Sequence, residues 1–306
     1  MITSISPTSE IFLSNLQQIE NRVSTAERQL SSGLRVNEAS DAPDQISNIL
    51  QLRAQIAGVQ QTQHNLSVVG PQVNSADTAI QQATQVLDSA TSLATQAANG
   101  TPTPAQQAAM ASQAEAILQQ LVSLSRTNVN GQYIFSGAQS GQPSYGMNGS
   151  TYQQLIVPAP GLPGAIQDTN GVSIATGLTA SQVFDGGNSP NPQQNSAFAA
   201  VASLVTALQE NPSNSTDLQS ALANIQSATA YVSSQGSFYG AVENNITAAN
   251  NTASTQLTQL QQLLSNEQEA DIPTVSQELQ SALTSEQAAM QGQAQFKPQS
   301  LFSYLS

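Results

Sequence analysis

Few side chains in this sequence could carry chemistry, and those few stand apart. His64 is the only histidine. Metal binding or acid–base work there would need a convergent carboxylate or a second histidine three or four positions away. Positions 60, 61, 67 and 68 hold Gln, Gln, Ser and Val instead, so His64 reads as a structural residue. Glu267, Glu269 and Asp271 lie close enough in sequence to suggest a cation. Negative charge flanking a helix start is stabilised by the helix dipole, and that explains the trio without a ligand. Asp185-Gly186-Gly187-Asn188 opens like a calcium loop but lacks the bidentate Glu that closes one, so it reads as a plain turn. No serine sits in a G-x-S-x-G elbow, and a single histidine leaves no triad to build. Gly131 and Gly137 are not followed by the Gly-Lys-Ser/Thr of a phosphate loop. The absence of cysteine removes thiol catalysis, zinc–thiolate sites and disulfides together. No catalytic, metal or cofactor site is expected, and the chain does not read as an enzyme.

Composition narrows the partners. Lys and Arg total 6 against 19 Asp and Glu, a formal charge of −13, while charged residues make up only 8% of the 306. Nucleic acid and anionic membrane both recruit basic residues, so neither is expected as a partner. Aromatics are 4% with no tryptophan, too few for a large globular core. No apolar run approaches the ~20 residues of a membrane span. The opening MITSISPTSE has neither a basic n-region nor an apolar h-region, so no cleaved signal peptide is expected.

The elements follow from periodicity. From Pro43 to Ala97, apolar residues recur every three and then four positions, beginning Ile49, Leu52, Ile56, Val59 and ending Leu87, Ala90, Ala94, Ala97. Gln63 and Gly70 are the only interruptions, and this 3.5-residue period belongs to a helix that lies against other helices. Gly70-Pro71 should kink it. Ahead of it, Phe12, Leu16, Ile19, Val23, Ala26 and Leu30 mark a first helix closed by Gly33 as a left-handed cap. Ser40 or Asp41 is the expected N-cap of the long helix, with Pro43 in its first turn. After Asn99-Gly100, Thr103 and Gln106 form a capping box for a third helix through Met110, Ala114, Ile117, Leu121 and Leu124.

The pattern changes at Asn128. Asn130-Gly131 signals a turn, QYIFSG reads as a short β run, and residues 138–195 are rich in Gly, Pro and Asn. Strand-like runs are expected at 151–157, 171–175 and 183–184, in an insert near the size at which burial becomes marginal. Its stability should depend on its base. Helical periodicity resumes at Ser196 and runs to Asn211-Pro212. A second long seam then follows through Leu218, Leu222, Ile225, Thr229, Val232, Gly236, Tyr239, Glu243, Ile246, Asn250, Ala253, Leu257, Leu260 and Leu264. Asp271 and Pro273 start a last helix through Val275, Leu279, Leu283 and Met290, and the chain closes on Leu301, Phe302, Tyr304 and Leu305.

The expected fold is mainly α with a small β insert: an elongated antiparallel helical bundle built from both chain ends, with a β-rich domain at the hairpin tip. Three regions are expected: residues 1–40 with 266–306 as a terminal coiled coil, 41–137 with 196–265 as a helical bundle, and 138–195 as the insert. The terminal helices have only each other, and two helices leave much of a seam exposed. Phe12, Leu16, Ile19, Val23, Leu30, Val275, Leu279, Leu283, Met290, Leu301, Phe302 and Leu305 are therefore the expected assembly interface between subunits.

SSGLRVNEASDAP resembles the N-terminal motif of the bacterial flagellin-type family, and ATQAANGT resembles the end of that family's long helix. TNVNGQYIFSG and the closing SLFSYL are similar to its hook-associated protein 3 branch. The resemblance covers about 1–137 and 236–306 and leaves the insert out. It implies a flagellar axial protein, exported unfolded through the flagellar type III apparatus to the cell exterior, forming a short ring or tubular layer that joins hook to filament. Implied partners are further copies of itself, a hook-side hook-associated protein, flagellin, and a cytoplasmic export chaperone that holds the C-terminal region. A short flagellin forming the filament itself is the close alternative. A stalked surface adhesin comes third, because it would call for an anchor or signal peptide.

Overall fold

The computed structural model describes residues 7–100, 102–156, 164–187, 195–210 and 214–295. Seven α-helices are described among them: α1 (Pro7–Ser32), α2 (Ile46–Asn99), α3 (Pro104–Ser125), α4 (Ala180–Phe184), α5 (Ala197–Gln209), α6 (Ser215–Gln268) and α7 (Ile272–Gln295). Six short strands pair in sequence order: β1 (Asn128–Val129) with β2 (Gln132–Tyr133), β3 (Tyr145–Asn148) with β4 (Thr151–Gln154), and β5 (Ala165–Gln167) with β6 (Ser173–Ala175). All three pairs are antiparallel. The chain divides into two compact units, Met1–Ala57 with Gln256–Ser306, and Gly58–Thr255. It is mainly helical with a small β region.

Helix boundaries follow local chemistry. Gly33, at φ +71°, donates its N–H to the Gln29 carbonyl and ends α1. Thr103 caps α3 reciprocally with Gln106, with Pro104 at the first helical position. Every seam residue of α2 from Ile49 to Ala97 is buried or half-buried, Gln63 and Gly70 included. The helix continues through Pro71, which lies on the exposed face. The N–H that proline withholds from the Ser67 carbonyl is lost where water can replace it.

The start of α2 differs from expectation. The helix begins at Ile46, so Pro43 precedes it within a turn. Asp41 caps a different feature: its Oδ2 accepts from the N–H groups of Asn37 and Glu38, at 2.9 and 2.8 Å. Those two bonds hold the Asp41 carboxyl below the usual carboxylate range, with a smaller contribution from Arg28.

In the Gly58–Thr255 unit one continuous core joins α2, α3, α5 and α6 to the insert. Phe135, Phe184, Phe198 and Tyr239 are each 1% exposed or less. Phe135 meets Phe184 edge-on at 5.3 Å and Tyr239 at 6.4 Å. Tyr145, Ile174, Leu178, Val183 and Phe184 of the insert belong to this same core, so its packing is continuous with the bundle. Of QYIFSG only Gln132–Tyr133 is strand, because Phe135 turns inward and its carbonyl accepts from Ala180 N–H at 2.7 Å. The Asn130-Gly131 turn is as expected, with positive φ at both residues.

Strands expected at 151–157 and 171–175 are shorter, at Thr151–Gln154 and Ser173–Ala175. Val183-Phe184 is helical, since Thr179 and Gln182 form a capping box that starts α4. On α6 two seam positions after Tyr239 fall one residue earlier than expected. Val242 and Ala249 are buried, Glu243 is half-buried and Asn250 exposed. Spacings of three and four still connect Tyr239, Val242, Ile246, Ala249 and Ala253, so the period survives while its two polar members move off the stripe.

Candidate assembly surface

The first unit is built on α1 and α7, which run antiparallel. Ala270 N–H donates to the Gly33 carbonyl at 2.9 Å, and Arg22 reaches Glu278 at 3.5 Å. Both partners of that ion pair are about half-exposed, so it sets register more than stability. Side chains three and four apart share a face, and here the shared face is narrow. Ala26, Val275 and Ala282 are the buried residues of the stripe. Phe12, Leu16, Ile19, Val23, Leu30 and Leu279 are half-buried. Leu283 is 40% and Met290 54% exposed, further out than a core position would be.

At the base of the pair, two chain segments distant in sequence are sewn together. Arg35 and Val36 N–H both donate to the Gln268 carbonyl, and Leu34 bridges Glu269. The Arg35 guanidinium donates to Gln45 Oε1 and to the Glu267 carbonyl, each at 2.6 Å. Below them Val36, Ala42 and Ile49 form a small core with Leu264 packed against it. Arg28 lies 3.5 Å from Glu38 and 3.9 Å from Asp41, on the surface.

This base corrects the reading of the acidic trio. Glu267 stands in the last turn of α6, and Glu269 in the bridge. Only Asp271 flanks a helix start, where its Oδ2 accepts from Thr274 Oγ1 at 2.8 Å. Asp185 is equally structural, accepting from Tyr145 Oη at 2.8 Å and from the Ser196 hydroxyl. His64 is exposed on α2. Among the described residues there is no cluster of three or more metal-ligating side chains, and no helix is long and apolar enough to cross a membrane.

The structure thus brings nine of the expected interface residues onto one two-helix pair, while Leu301, Phe302 and Leu305 lie outside the described residues. The same unit also exposes Ile11, Leu13 and Ile272 on this pair and Leu50 and Leu263 on α2 and α6, by 43 to 62%. The signal for the first two was present, since Ile11-Phe12-Leu13 places three apolar residues in a row on a helix and one face cannot hold them all.

Residues 7–140 match the family model for the bacterial flagellin N-terminal helical region, and residues 222–305 match that for the C-terminal helical region. Over 145 residues the chain is 30% identical to the B-type flagellin of Pseudomonas aeruginosa, covering 47% of this chain and 29% of that protein. The match therefore spans under a third of the flagellin's own length. Among solved structures, a Vibrio parahaemolyticus protein assigned to the flagellar hook-associated proteins superposes with a TM-score of 0.64 at 17% identity, over 75% of this chain and 100% of that one. Flagellar hook-associated protein 3 of Legionella pneumophila gives 0.61 at 16% identity, over 71% and 98%. At such identities the likeness is one of fold.

Proposed function

The chain belongs to the bacterial flagellin family, and from that premise we propose that it is a structural subunit of the flagellum, polymerising through its N- and C-terminal helices where hook meets filament. The observation that carries this reading is the α1–α7 pair, whose apolar stripe is mostly half-exposed. An isolated two-helix pair cannot dry such a stripe, and neighbouring copies supply the missing walls. Residues 1–40 with 266–306 are the assembly region, 41–137 with 196–265 the supporting bundle, and 138–195 the variable insert. Leu301, Phe302 and Leu305 extend the assembly surface.

The fold shared with hook-associated protein 3 favours the junction over the filament, and the small insert agrees. The subunit does no chemistry. It is exported to the cell exterior, held beforehand by a chaperone on its C-terminal region. Outside the cell it forms a ring or tubular layer between a hook-side hook-associated protein and flagellin.

A filament subunit must accept a copy above and a copy below indefinitely, whereas a junction subunit meets different partners at its two ends. Purified protein, seeded and concentrated, should therefore form short rings or oligomers and bind hook preparations. Long filaments grown from this protein alone would make it a short flagellin instead.

A further inference from the structure

The Met1–Ala57 with Gln256–Ser306 unit exposes a second apolar feature, away from the α1–α7 stripe. Leu50 on α2 is 56% exposed and Leu263 on α6 is 52% exposed. Within this unit the two helices run antiparallel, since Arg35 ties Gln45 to Glu267 while Ile49 and Leu264 join one small core. A helix turns by about 100° per residue, so Leu50 stands one step past Ile49 and Leu263 one step before Leu264. Stepping forward on one helix and backward on its antiparallel neighbour gives the same sense of rotation. Because the two faces look toward each other, the two leucines emerge on opposite flanks.

Charge distinguishes the flanks. Arg53 follows Leu50 by three positions, one helical turn along the same face. It is exposed and makes no ion pair among the described residues. Glu267 follows Leu263 by four positions, and its carboxylate likewise has no ion pair there, Arg35 being bonded to its carbonyl. Copies that each carry −13 repel one another, so a close lateral contact needs a cation aimed at an anion. Arg22 and Arg28 are already engaged with acidic groups, and Arg35 with an amide and a carbonyl. Arg53 is a cation that the unit leaves available.

We propose that the Leu50–Arg53 flank of one subunit packs on the Leu263–Glu267 flank of a second copy. The contact is heterologous: two different patches meet, and each copy keeps one of each free for the next neighbour, as a ring requires. It rests on the assembly reading above and names the side-to-side partner, a further copy of this chain.

The chain has no cysteine, so single cysteines report the contact cleanly. Full-length protein assembled on hook preparations is oxidised as L50C, as L263C, as an equal mixture, and as the double variant. The mixture should give cross-linked dimers, the double variant a ladder, and either single variant alone neither. R53E should lower laddering about tenfold, and adding E267R to the same chain should restore it. Dimers from L50C alone would show a two-fold contact and overturn the proposal. Assembled protein without any 50–263 cross-link would overturn it while leaving the assembly reading standing. Failure of the unsubstituted chain to assemble at all would remove both.

Discussion

Phe135 is fully buried, edge-on to Phe184 and Tyr239, and its carbonyl receives the Ala180 N–H. One residue, through its ring and its carbonyl, therefore connects the turn after β2, both ends of α4 and the middle of α6. Phe135→Ala should lower the stability of this core by about 3–5 kcal/mol, read by chemical denaturation. A loss below ~1 kcal/mol would mean that the cluster repacks. Two tyrosines in the same core give it a pH signature. Burial pushes the Tyr145 and Tyr239 hydroxyls well above the ordinary value of 10.0, with the Asp185 charge adding to the effect on Tyr145. A raised folded value means that the neutral hydroxyl is favoured in the native state. Their contribution is therefore complete below pH 10.0 and is lost as pH rises above it. In an alkaline titration, tyrosinate from this pair should appear only together with loss of helical circular dichroism. Tyrosinate from all six tyrosines before any unfolding would contradict the burial.

The long helices were the legible part of the sequence because a 3.5-residue seam tolerates single errors. Gln63 and Gly70 interrupt it and α2 still forms. On α6 the stripe takes Val242 and Ala249 in place of Glu243 and Asn250, which a count by threes and fours misses because the two paths rejoin at Ile246 and Ala253. The insert was less legible. Its strands are two to four residues long, and contacts with the helical core decide their ends more than any alternation of their own. Helix α4 was readable in principle, since Thr179 and Gln182 repeat the pattern that marked α3. The α1–α7 pair was legible as two helices with apolar stripes, while its base depends on Arg35 and Gln268, polar residues that carry no periodic signal. Gly70 supplies a test at this scale. It lies within α2 with open space where a Cβ would point, so Gly70→Ala should add roughly 0.5–1 kcal/mol of stability. A destabilised variant would show that the helix needs glycine beside Pro71.

At the scale of the whole molecule, the two units contrast in how they bury apolar surface. The Gly58–Thr255 unit holds a continuous core, whereas the other leaves Ile11, Leu13, Ile272, Leu283 and Met290 in water. Ordering entropy is poorly offset in a pair so exposed, so brief proteolysis of dilute monomer should leave a core of roughly 45–265. Replacing Leu301, Phe302 and Leu305 together by Ser should abolish incorporation while leaving the melting of that core nearly unchanged. A large fall in melting temperature would place the tail on the core instead. The most direct measurement is where the protein sits on intact flagella, by labelling a tagged copy and imaging it. A junction subunit gives one narrow band at the hook-proximal end of each filament. Label along the whole filament length would contradict it.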